Sequence, residues 1–103
     1  MSSVNQKGVE SDTYSFLLFV VGDEPNSALA KKNLSLICRK HLNGKCKIQI
    51  VDVLKDFAMA IKNNIVVTPT LILLKPEPRV TIFGNLSDIE KVLAALHIEG
   101  GAN

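Results

Sequence analysis

The sequence predicts an α/β sandwich with the element order β-α-β-α-β-β-α and helices on both faces of the sheet. Three observations carry this expectation. Tyr14–Val21 is a nearly continuous apolar run, as a strand covered on both faces requires. Helical stretches separate it from the next two strands, which fits crossover connections. Thr70–Lys75 and Arg79–Phe83 are strand-like runs joined by the short Pro76-Glu77-Pro78 link of a hairpin.

Taken in order, the first strand ends at Gly22-Asp23-Glu24-Pro25-Asn26-Ser27, a turn with helix-start chemistry. A helix follows over Asn26–Leu42, with Ala30, Leu34, Ile37, Cys38 and His41 on its buried face. Asn43-Gly44 stops it. Lys47–Val53 is the second strand, where Ile48 and Ile50 alternate with Lys47 and Gln49. Lys55–Asn63 is a short helical stretch carrying Phe57, Ala58 and Ile61. After the hairpin, Ser87-Asp88-Ile89-Glu90 reads as a capping box, and Ile89, Val92, Leu93 and Leu96 form the stripe of the last helix. The expected organisation is a flexible tail at 1–12, one domain at 13–98 and a flexible end at 99–103.

Composition narrows the function classes. With 103 residues and 47% hydrophobic content the chain can bury one core. No apolar stretch after a basic start opens it, so the sequence predicts no secretory signal and a cytoplasmic location. The longest apolar runs, Phe16–Val21 and Leu71–Leu74, are too short to cross a bilayer, so no membrane partner is expected. A net charge of +2 argues against bulk nucleic-acid binding. The five aromatic residues do not interleave with the basic cluster, which argues against single-strand binding.

The charge is unevenly placed. Between Pro25 and Val51 there is no acidic residue, yet Lys31, Lys32, Arg39, Lys40, Lys45 and Lys47 lie there, six of the twelve basic residues. Such asymmetry marks a surface that meets something acidic, although a solvated helix face reads the same way on charge alone. At about 100° per residue, Lys32 and Arg39 nearly eclipse each other and Lys40 lies about 80° round. Leu29 and Leu36 fall among them, opposite the core face. A mixed basic and apolar stripe suits a protein partner or a second subunit. The candidate partner-binding residues are therefore Leu29, Lys32, Leu36, Arg39, Lys40, Lys45 and Lys47.

The element order, with Val67-Thr68-Pro69-Thr70 before the third strand, resembles the thioredoxin-like fold. In that superfamily this proline is usually cis and lies beside the first helix's N-terminus. Redox members place a Cys-x-x-Cys there, because the helix terminus favours a thiolate. Here that position is Asp23-Glu24-Pro25-Asn26-Ser27, without a thiol. Cys38 and Cys46 are eight residues apart, a spacing that fits no redox or zinc motif. Cys38 is expected as a small buried hydrophobe, with a disulfide or a metal ligand as the other readings. His41 and His97 read as helix-end residues rather than bases. No paired carboxylates and no glycine-rich phosphate loop occur. The sequence predicts no catalytic residue, no cofactor and no metal site.

Gly22-x-x-Pro25-Asn26-Ser27, Val51-Asp52-Val53-Leu54, Thr68-Pro69-Thr70-Leu71 and Gly84-Asn85-Leu86-Ser87 occur in the order and at the spacing of the KaiB family. The resemblance covers about Tyr14–Leu96. The chain departs from the usual family pattern at Leu29, Leu36 and Asn85, where a basic residue, a polar residue and Asp are common, and in lacking an acidic C-terminal tail. The resemblance implies a small non-enzymatic partner of KaiC, a RecA-like ATPase, in clock-like or stress-adaptation signalling. It also implies self-association as a dimer or tetramer, and a metamorphic C-terminal half, here about Asp52 onward. By that resemblance the tetrameric ground-state packing is the expectation for a concentrated sample. Local propensity favours the thioredoxin-like order instead. Pro69, Pro76, Pro78, Gly84, Asn85 and Asp88 are the candidate fold-switch or structural positions. The alternative function is a thioredoxin-like redox or peroxide-handling protein using Cys38 or Cys46.

The thiol-free turn generates a first prediction: the protein does not reduce insulin disulfides with a dithiol donor. Turnover comparable to that of a thioredoxin in the same assay would refute it.

Overall fold

The computed structural model describes residues 13–98; the tails expected at 1–12 and 99–103 lie outside the described residues. The elements follow the predicted order: β1 Tyr14–Val20, α1 Pro25–His41, β2 Cys46–Asp52, α2 Phe57–Lys62, β3 Thr70–Lys75, β4 Val80–Phe83 and α3 Ile89–Ala95. The sheet order is β2-β1-β3-β4. β1 runs parallel to β2, from Tyr14 opposite Cys46 to Val20 opposite Asp52. It runs antiparallel to β3, with Leu18 opposite Leu71, and β3 pairs antiparallel with β4.

This is the thioredoxin-like arrangement, as local propensity indicates. Residues Phe16 to Val20 of β1 are all buried, because the strand is internal and covered on both sides. On one face Phe16, Leu18 and Val20 pack with Ala30, Leu34 and Ile37 of α1 and with Val92, Leu93 and Leu96 around α3. On the other face Leu17, Phe19, Val51 and Ile72 pack with Val53, Met59 and Ile65, in the short α2 and its flanks, and with Leu74 of β3. The two layers are therefore unequal.

The helix caps differ from expectation. Glu24 caps α1: its carboxylate accepts the Ser27 N–H at 3.0 Å. The buried Ser27 hydroxyl accepts the Val21 N–H at 3.1 Å, so this serine ties the helix back to the end of β1. Asn43 and Gly44 take left-handed conformations past the helix, and the Gly44 N–H reaches the Cys38 carbonyl, as the stop signal predicts. α3 starts at Ile89 with Asp88, not Ser87, as its cap; the Asp88 carboxylate accepts the Lys91 N–H. The predicted capping box does not form, because the Ser87 N–H is already donated to Asn85 Oδ1 at 3.0 Å.

Asn85 is a junction. Its Nδ2 donates to Asn26 Oδ1 at 3.1 Å, and its backbone carbonyl accepts from Asn33 Nδ2 at 2.9 Å. These bonds link α1 to the loop before α3, two segments more than fifty residues apart in sequence. The Thr68-Pro69, Lys75-Pro76 and Glu77-Pro78 bonds are cis. The side chain of buried Thr70 donates to the Val67 carbonyl at 2.7 Å, fixing the entry to β3.

Replacing Asn85 with Ala removes two side-chain hydrogen bonds and is expected to cost about 1–2 kcal/mol. Asn85→Asp keeps the acceptor for Ser87 but loses the donor to Asn26, so it should lie between the two. Urea unfolding of the three proteins checks the ranking; equal midpoints would show that the junction adds nothing to stability.

Candidate functional site

At the N-terminus of α1, the place where a redox member of this fold holds its thiols, the side chains are a carboxylate and a hydroxyl. Both are engaged in backbone capping, Glu24 with Ser27 and Ser27 with Val21. Nothing there can attack a disulfide. The surface chemistry lies elsewhere, in a basic helix face and an apolar cluster.

The predicted partner-binding residues are brought together in part. Lys32, Arg39 and Lys40 are exposed along α1, Lys45 is exposed at the corner before β2, and Leu29 is 43% exposed among charged and polar neighbours. Leu36 departs from expectation in being half-buried. Leu29, Asn33, Leu36 and Lys40 form one stripe at spacings of four and three. Asn33 in that stripe is bonded to the loop before α3, which screens the middle of it. Lys47 also stands apart. Along β2, Ile48 packs with the α1-side core and Val51 with the α2-side core, so Lys47 belongs to the α2 face of the sheet.

The sequence reading missed a second surface. Leu54, Phe57, Ile61, Val66 and Val67 are all exposed, Phe57 by 68% and Val66 by 86%. With Val21, Ile65 and Thr68, all of these but Ile61 border an open cleft of about 340 Å³ beside the cis Thr68-Pro69 bond. The sequence places Phe57 and Ile61 on a short helical stretch, but α2 has only six residues and buries only Ala60 fully. One signal was available. Ile65-Val66-Val67 adds apolar surface beside a helix too short to cover it.

Cys38 and Cys46 form a disulfide, which corrects the reading of Cys38 as an unpaired buried hydrophobe. The eight-residue spacing matches no motif, yet the turn between helix end and strand start brings the two Cα atoms to 6.2 Å, within bridging range. The bond sits at the far end of α1 from the thioredoxin position. His41 is the last residue of α1, and His97 takes a left-handed conformation after α3 and donates its N–H to Ala94, both helix-end roles as expected. Among the described residues, no three His, Cys, Asp or Glu side chains cluster to hold a metal. No helix there is long and apolar enough to cross a membrane.

The comparisons with known proteins follow the same geometry. The family profile described as KaiB domain matches residues 17–98. The chain belongs to the KaiB family. A circadian clock oscillator protein KaiB from Cyanothece sp. is 41% identical over 86 residues, covering 84% of this chain and 82% of the relative. Among solved structures, the N-terminal domain of Synechococcus elongatus SasA superposes with a TM-score of 0.67 at 21% identity, covering 82% of this chain and 84% of that one. The thioredoxin Deadhead of Drosophila melanogaster gives 0.65 at 17% identity, over 91% and 90% of the two chains. At these identities the structural likenesses establish the fold. Family membership makes this a clock-type regulatory protein and not an enzyme, which the fold by itself leaves open.

The family motif Val51-Asp52-Val53-Leu54 has a physical basis in this KaiB-family chain. The Asp52 carboxylate accepts the Leu54 N–H at 3.0 Å and a second hydrogen bond from the Gly22 backbone. These bonds, in that order, hold its carboxyl below the ordinary value of 3.8, with smaller help from Lys55 and Lys31. A carboxyl depressed by folding contributes stability that is present above its unfolded value and lost as pH falls through its folded value. Asp52→Asn should therefore flatten the loss of stability as pH falls through the ordinary carboxyl range and then through the lower folded value. Urea midpoints across that range test it; identical pH profiles would mean the bonds carry no linkage.

Proposed function

We propose that the chain is a cytoplasmic regulatory binding protein whose partner is a KaiC-like RecA-type ATPase. The observation that carries this reading is the exposed apolar cluster of Leu54, Phe57, Ile61, Val66 and Val67, in a fold whose usual catalytic position lacks a thiol. A fold that keeps the cis-proline loop but exposes aliphatic and aromatic side chains beside it is built to dock a protein. The basic face of Lys32, Arg39, Lys40 and Lys45 supports an acidic, partly apolar counterpart and fast, salt-sensitive association. Leu29 and Leu36 extend the contact, with Lys47 reaching the partner only from the opposite sheet face. The family relatives are clock oscillator proteins by name, which supports a role in rhythm, with stress adaptation as the other setting for the same binding.

In the same reading the free chain self-associates, and its half from Asp52 onward exchanges between two packings. The junction at Asn85 holds α1 to the segment before α3, so it favours the arrangement described here. Oligomer burial favours the other, and dilution should shift the balance toward the monomer. NMR across concentration should show a second, slowly exchanging set of amide peaks beyond Asp52. One concentration-independent set with a monomeric mass would leave a fixed thioredoxin-like binding domain.

Binding is tested with a purified KaiC-type ATPase by surface plasmon resonance. Phe57→Ser with Val66→Ser should weaken binding at least tenfold, about 1.4 kcal/mol. Lys32→Glu with Arg39→Glu should slow association and reduce its salt dependence. All four positions face solvent, so the fold should survive. Wild-type affinity in both variants would remove the two surfaces from the interface.

A further inference from the structure

We propose that Cys38–Cys46 is a reversible thiol–disulfide site, opened by a small thiol of the glutathione class, that sets the rigidity of the basic corner between α1 and β2. This inference is independent of the identity of the protein partner. Its first support is that the corner is held without the bond. The Leu42 and Gly44 N–H groups donate to the Cys38 carbonyl, the Lys45 N–H donates to Leu42, and the Tyr14 N–H donates to Lys45. Leu42 is buried between them. With the bond open, these contacts keep the two sulfurs near each other, so closing remains an intramolecular step at high effective concentration.

Access is the second support. β2 is an edge strand, and Cys46 is its first residue and half-buried, whereas Cys38 is only 8% exposed. An incoming thiolate therefore reaches Cys46 first. Its sulfur bonds to Cys46 Sγ, the Cys46–Cys38 bond breaks, and Cys38 leaves as a thiolate that takes a proton from water. A second small thiol then displaces the mixed disulfide. The products are the protein dithiol and the small-molecule disulfide, so two electrons pass from two thiols to one disulfide. Oxidised glutathione runs the exchange backward.

Charge is the third support. Arg39 and Lys40 directly follow Cys38, while Lys45 and Lys47 flank Cys46, and all four are exposed. No acidic residue lies between Pro25 and Val51. The corner attracts an anionic thiolate such as that of glutathione. Arg39, Lys40 and Lys45 belong to the basic face of α1, so the redox state of the pair controls how firmly that end of the face is presented.

The test uses the full chain, folded at neutral pH, in anaerobic buffers of varied glutathione to glutathione-disulfide ratio. Free thiols are trapped with a polymer-tagged maleimide and counted by gel shift. The expected result is one transition between zero and two labels, reached identically from the oxidised and the reduced protein. Lys45→Glu with Lys47→Glu should slow reduction several-fold, and Cys38→Ser should accumulate a glutathione adduct on Cys46. Hydrogen exchange of the reduced wild type should speed up at residues 42–46 and stay unchanged in β1 and β3. Labelling that appears only in denaturant would overturn the proposal, as would faster exchange throughout β1 and β3, since either makes the bond a structural staple. If Cys38→Ser does not fold, the wild-type labelling and exchange decide.

Discussion

Strand β1 has to be covered on both faces, and the rest of the structure follows from that requirement. Its five consecutive buried residues, Phe16 to Val20, point alternately up and down. A strand of that kind is stable only between two neighbours and between two layers of helix. β2 and β3 supply the neighbours. The parallel pairing with β2 requires a crossover, which α1 provides, and the antiparallel pairing with β3 places the cis Thr68-Pro69 bond at the same sheet end as the start of α1.

The two layers are unequal, and the surface chemistry follows from the inequality. α1 and α3 seal one face with long aliphatic stripes. The six-residue α2 covers only part of the other face, so the apolar residues around it remain in water. Exposed apolar surface of this kind is unfavourable for an isolated chain, and covering it drives association. The end of the sheet that carries catalysis in redox members of the fold here carries exposed apolar side chains. Polar cross-links do the complementary work on the sealed face: Asn85 joins α1 to the approach of α3, and Ser27 joins α1 to β1.

The sequence made the element order legible because each element has its own periodicity and its own stops. β1, α1 and the stripe of α3 follow from apolar spacing, and the end of α1 follows from Asn43-Gly44, whose left-handed conformations no ordinary helix residue prefers. The absence of a thiol at the start of α1 was equally plain, since it is a matter of residue identity. The motifs running from Gly22 to Ser87 are enough to indicate the family.

Tertiary structure alone decided what depends on residues distant in sequence. The start of α3 moved to Asp88 because Asn85 captures the Ser87 N–H, and Asn85 is held in turn by Asn26 and Asn33 of α1. Leu36 is half-buried where helical spacing alone leaves it in water, and Lys47 fell on the sheet face opposite α1. The pairing of Cys38 with Cys46 required the Cα separation that the helix-to-strand turn creates. The exposure of Phe57 and Val66 required knowing how little of the sheet α2 covers. Periodicity states which side chains share a face. Only the packed chain states what that face meets.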